Sequence, residues 1–80
     1  MTIKLYTGAT CPRCQILKNK LNDANIPYQE CTEFDHAKFR ELKLMSLPIM
    51  EVAGEDNVEY LDFAKAILFI NKLNKLNVNF

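Results

Sequence analysis

Residues 10–14 read Thr10-Cys11-Pro12-Arg13-Cys14, a CxxC pair set between a strand-like opening at residues 3–6 and a helical pattern. Two intervening residues suit an intramolecular disulfide at a helix start. Pro12 fits the first helical turn, where its missing amide proton has no acceptor one turn back. That placement sets Cys11 before unpaired backbone N–H groups and the positive end of the helix dipole, with Cys14 one turn later on the same face. The expected division of labour follows: Cys11 is the attacking thiolate, with a pKa below that of a free cysteine, and Cys14 is the resolving thiol.

Three readings of the pair compete. The first is thiol–disulfide exchange. The second is a zinc or iron–sulfur site, shared between two chains, because only Cys31 and His36 remain as further ligands and no second CxxC exists. The third is an inert structural pair. The strand-then-helix setting ranks exchange first.

Composition narrows the remaining classes. Eighty residues permit one small domain, residues 1–80, with one modest core. Lysine plus arginine number 10 and aspartate plus glutamate 10, a net charge of zero, so no basic excess points to nucleic acid. Three cysteines are an odd count for a secreted disulfide framework, and no basic n-region followed by an apolar h-region opens the chain. A reducing cytoplasm is the expected compartment. The longest apolar run near the C-terminus, residues 66–70, falls far short of the roughly 20 residues a membrane helix needs, so no membrane role is expected.

Outward from the CxxC pair, Ile3 and Leu5 alternate with Lys4 and Tyr6 as in a half-buried strand, and Gly8 supplies a tight turn before Cys11. Leu17, Leu21 and Ala24 recur at helical spacing, with Ile16 widening the apolar face. Asn25, just before Ile26-Pro27, is the expected stop, since Asn tolerates a left-handed conformation. Residues 28–32 read as a second strand, with Cys31 as a small buried hydrophobe near its end. Asp35 caps a helix running to about Leu42 that buries Phe39 and Leu42, with Leu44 and Met45 closing it against the core, and His36 is a polar residue of its first turn. After the bend at Ser46-Leu47-Pro48, residues 49–52 and 57–60 form an antiparallel hairpin around Ala53-Gly54-Glu55-Asp56. A last helix from about Leu61 presents Phe63, Ala64, Ile67, Leu68, Ile70 and Leu73, a surface broad enough to supply much of the core or, in part, to meet another protomer.

The order is therefore β-α-β-α-β-β-α: an α/β fold with a mixed four-stranded sheet and three helices, its first two strands parallel through a right-handed crossover. A monomer is the primary expectation, with a homodimer through the last helix as the alternative.

On these residues the chain resembles the glutaredoxin family of the compact thioredoxin-like fold. Cys11-Pro12-Arg13-Cys14 is similar to that family's CPxC centre, and Ser46-Leu47-Pro48 to its Thr-Val-Pro element, which carries a cis proline against the active-site disulfide. The resemblance implies an enzyme that takes electrons from glutathione as reducing cosubstrate, with no bound cofactor and no metal, and reduces protein disulfides or glutathione mixed disulfides. It implies Cys11 and Cys14 as catalytic residues. Thr10, Pro12, Arg13, Ser46, Leu47, Pro48 and Asp62 are the implied substrate-binding residues, the Leu47 backbone pairing with an extended thiol substrate. Two positions depart from the pattern: Gly8 stands where glutathione-binding members often have Lys or Arg, and Glu59-Tyr60 replaces Gly-Gly before Asp62. A related redoxin reduced by thioredoxin reductase and feeding ribonucleotide reductase is the alternative that these departures imply.

Overall fold

A computed structural model describes residues 1–78, with side chains described through Lys75. The chain runs β1 (Thr2–Tyr6), α1 (Pro12–Asp23), β2 (Gln29–Cys31), α2 (His36–Glu41), β3 (Ile49–Ala53), β4 (Val58–Leu61) and α3 (Phe63–Val78). The four strands form one mixed sheet in the order β2-β1-β3-β4. β1 pairs parallel with β2 and antiparallel with β3, and β3 pairs antiparallel with β4. The expected element order and the mixed sheet are both present.

Strand alternation divides the sheet into two unlike faces. Ile3 and Leu5 of β1 and Met50 of β3 point into an aliphatic core with Leu17, Leu21 and Ala24 of α1, Ile26, and Ala66 and Ile70 of α3. On the other face Tyr6, Phe34, Phe39 and Tyr60 pack ring against ring, with centroids 5.0–5.8 Å apart at tilted or edge-on angles. Tyr6 also donates its hydroxyl to a Glu51 carboxylate oxygen at 2.9 Å. Burial first, then this hydrogen bond and the Glu51 charge, push the Tyr6 phenol well above its usual range, so it stays a neutral donor.

Local chemistry sets the helix ends. Asp35 accepts from Ala37 N–H at 3.0 Å and Lys38 N–H at 3.3 Å, capping α2 as expected. Asn25 takes a left-handed φ of 56°, and Ile26 N–H bonds back to Leu21 O at 2.9 Å, closing α1 at the expected residue. α2 closes the same way through Lys43, φ 61°, and a 2.8 Å bond from Leu44 N–H to Phe39 O.

Burial corrects several side-chain expectations. The inward stripe of α1 is Cys14, Leu17, Leu21 and Ala24, and Ile16, off that line, is 44% exposed. Among the described side chains of α3, Ala66 and Ile70 are buried, with Phe63, Ile67, Phe69 and Leu73 packed beside them; Ala64 and Leu68 point outward. Leu42 and Met45 are exposed, because the left-handed closure at Lys43 turns the chain away after Phe39. Cys31 is a free thiol, half-buried where full burial was expected. Gly8 has no positive φ; its need is for space, since a Cβ there would lie 3.2 Å from Leu47 Cδ1.

Candidate active site

Two loops meet at one end of the central strands because their anchoring strand ends are paired. The segment carrying Cys11 leaves β1 after Tyr6, the Ser46-Leu47-Pro48 bend enters β3 at Ile49, and Tyr6 and Ile49 are partners across the ladder. Gly8 lets the first loop lie against Leu47 of the second. The Leu47-Pro48 peptide bond is cis, as the sequence led us to expect, and Pro48 is fully buried.

Cys11 and Cys14 are joined in a disulfide, with Cα atoms 5.2 Å apart. Cys11 is the N-cap of α1 in an extended conformation, and Pro12 opens the helix. The backbone N–H of Cys14 donates to Cys11 Sγ at 3.1 Å, so an otherwise unpaired amide of the first turn is aimed at the outer sulfur. Cys14 is only 2% exposed, whereas Cys11 is half-buried and opens onto a cavity of about 460 Å³.

Of the residues expected to bind substrate, Thr10, Ser46 and Leu47 line this cavity with Cys11. Pro48 sits buried behind them, while Pro12 and Arg13 are exposed on the first turn of α1 and are not among the cavity residues. The Arg13 guanidinium lies 5.5 Å from the centroid of the Phe63 ring, tying the first turn of α1 to the start of α3. Asp62 accepts from Lys65 N–H at 2.9 Å and its carbonyl from Ala66 N–H at 2.8 Å, which makes it the cap of α3. The cavity thus opens on the α2 side of Cys11 as a deep rim, while Arg13, Phe63 and Asp62 lie outside its lining.

Phe34, His36, Phe39, Arg40, Leu44, Met45 and Ile49 also line the deep side; His36 was weighed from sequence only as a metal ligand, and none was expected to bind substrate. His36 packs against Phe34 with ring centroids 4.6 Å apart and the rings tilted at 45°. The only early sign was its place, with Arg40 one helical turn later, at the start of a short helix just upstream of the proline bend. Below the rim, Lys38 Nζ donates to Tyr60 Oη at 2.7 Å and lies 4.9 Å from that ring's centroid. Tyr60, standing where Gly-Gly was the pattern, thereby fixes α2 to the sheet. Among the described residues, no three His, Cys, Asp or Glu side chains converge as a metal-ligand group.

Behind the CxxC helix, buried Thr7 donates to Glu30 Oε2 at 2.7 Å, and Lys18 Nζ pairs with the same oxygen at 2.8 Å. These contacts, Lys18 first and Thr7 second, hold the Glu30 carboxyl below the usual carboxylate range. They pin α1 to the edge strand β2.

No protein-family model matches the chain, and no curated protein sequence matches it. Among solved structures it is similar to TDR1 of Leishmania, described as a trimeric glutathione transferase, with a TM-score of 0.68 and 18% sequence identity. The match covers 88% of this chain and 17% of that one, so the chain spans about a sixth of that protein's length. At this identity the likeness speaks for the fold. The chain has a thioredoxin-like fold, with a CxxC disulfide where its interior first strand leads into its first helix.

Proposed function

We propose that the protein is a glutathione-linked thiol–disulfide oxidoreductase. The observation that carries this reading is the asymmetry of the disulfide: Cys11 Sγ faces the cavity and receives the Cys14 N–H, while Cys14 is shielded beneath it. In the reduced protein the same amide and the helix N-terminus favour a thiolate on Cys11. That thiolate attacks one sulfur of a substrate disulfide, forming a mixed disulfide and expelling the other sulfur as a thiolate that takes up a proton. Cys14, losing its proton, then attacks Cys11 Sγ, which re-forms the Cys11–Cys14 bond and releases the second substrate thiol. Two glutathione molecules return the pair to the dithiol and leave as glutathione disulfide.

Glutathione is favoured as donor because the deep rim supplies what Gly8 does not. Arg40 and His36 line the cavity that Cys11 faces, and a guanidinium there can take a carboxylate of the tripeptide in a two-point hydrogen bond. Outside the cavity, Arg13 packed on Phe63 and the Asp62 carboxylate engaged in capping α3 favour a second reading, a redoxin served by thioredoxin reductase. A coupled assay separates the two. With one disulfide substrate, NADPH loss is compared between glutathione plus glutathione reductase and thioredoxin reductase alone. Turnover with the glutathione system is expected; turnover with thioredoxin reductase alone would move the donor assignment, and none with either would overturn the enzyme reading.

A further inference from the structure

The deep rim offers apolar contacts that glutathione has no side chain to fill. Six apolar side chains line it: Phe39 and Ile49 are themselves buried, Phe34, Leu44 and Leu47 are half-buried, and Met45 is 80% exposed at its mouth. Leu42, 47% exposed, lies three residues before Met45 in the same connection between α2 and β3. Glutathione consists of a γ-linked glutamate, a cysteine and a glycine, none of which brings an apolar side chain to that wall. The charged lining is one-sided as well. His36 and Arg40 are there, no acidic residue is, and Arg40 makes no ion pair among the described residues. The chain as a whole is neutral, so this is a local bias rather than a reflection of net charge.

We propose that this cavity receives a disulfide-bearing protein segment in which a large apolar residue sits beside the reactive cysteine and an acidic residue comes next. The inference rests on the thiol-exchange reading above and names the substrate class for that site. The cysteine sulfur meets Cys11. The neighbouring apolar side chain displaces water from the half-buried wall of Phe34, Leu44 and Leu47, and Met45, unbranched and adaptable, folds over it. The acidic side chain then reaches Arg40, whose planar fork binds a carboxylate through two parallel hydrogen bonds. About 460 Å³ lies within the range of cavities that enclose small ligands, ample for one large side chain and a carboxylate.

The test uses the reduced full chain and synthetic peptides whose single cysteine is activated as a 2-pyridyl disulfide. Attack by Cys11 forms the peptide mixed disulfide and releases 2-thiopyridone, which is followed by absorbance; Cys14 then closes the protein disulfide and frees the peptide thiol. Peptides reading Cys-Leu-Asp, Cys-Gly-Asp and Cys-Leu-Lys are compared with one another and with the glutathione 2-pyridyl disulfide. Second-order rate constants for Cys-Leu-Asp are expected to exceed those of the other two peptides by at least about 10-fold, the scale set by one apolar group or one charged contact in a pocket. Cys-Leu-Asp should also react faster than the glutathione adduct. Arg40→Ala should erase the preference for Asp over Lys, and Met45→Ala should shrink the preference for Leu over Gly. Equal rates for the three peptides in a protein that releases thiopyridone from all of them would overturn the substrate class and leave the oxidoreductase reading standing. Absence of release from every substrate would overturn both.

Discussion

Cys14 lies beneath Cys11 with only 2% of its surface accessible, and that difference in access determines what each serine substitution does. Cys11→Ser should reduce disulfide exchange to the uncatalysed rate, because no other thiol faces the cavity. Cys14→Ser should retain exchange with glutathione mixed disulfides, which needs one thiolate, and stop the release of protein substrates at the mixed disulfide. Mass spectrometry of a stalled Cys11 adduct checks this, and a Cys14→Ser protein that completes protein-disulfide reduction would refute the assignment. At this scale the pair was readable in the sequence because its chemistry is contained in four consecutive residues. Arg40 and His36 were not, because a residue acquires a place in a cavity through packing across elements, and nothing in the 36–41 segment marks which face turns toward Cys11. Arg13 shows the same limit: its position beside Cys11 was legible, while its stacking on Phe63 depends on how α1 and α3 cross.

Element boundaries rest on caps, and one cap is also a candidate site residue. Asp62 holds Lys65 N–H, so its side chain has a structural duty that charge alone does not perform. Asp62→Asn keeps a good N-cap and should leave stability within about 0.5 kcal/mol, whereas Asp62→Ala should cost about 1 kcal/mol. Urea unfolding of both variants gives the capping term, and a change in glutathione KM in Asp62→Asn alone isolates the charge. The tie between α1 and β2 has its own signature in pH. Glu30 is held below the ordinary carboxylate value of 4.5 by Lys18 and then Thr7. Its contribution is therefore complete above about pH 4.5 and disappears as pH falls through the lowered folded-state pKa. Glu30→Gln should be less stable than the parent at neutral pH, and the gap should close on acidification; a gap that stays constant to pH 2 would show that the carboxylate is not the source. Helix α1 ended and helix α2 began where the sequence placed them because Asn25 and Asp35 carry their own local chemistry. The phase of α3 was misjudged in part because nearly every position from Phe63 to Ile70 is apolar or small, so periodicity alone gave no unique inward face.

Across the whole molecule, topology was the most legible level. Hydrophobic alternation in β1, the CxxC-bearing helix and the hairpin after Pro48 leave few ways to build a mixed sheet with a right-handed crossover. What the pattern could not supply was the division of the sheet into an aliphatic face and an aromatic one, since Tyr6 and Tyr60 read as exposed strand residues until Phe34 and Phe39 close over them. The pairing of Tyr6 with Ile49 has a further consequence, for exchange of backbone amides with heavy water. β1 and β3 are each bonded on both sides, whereas β2, three residues long, and β4, four, form the edges. Amides of the edge strands should exchange through partial openings, and those at the β1–β3 seam through global unfolding alone. Both candidate-site loops hang from that seam, so the protection factors of Lys4, Tyr6 and Glu51, whose amides face across it, should match the unfolding free energy measured by urea. The cysteine pair would then remain assembled through every partial opening that the edge strands undergo.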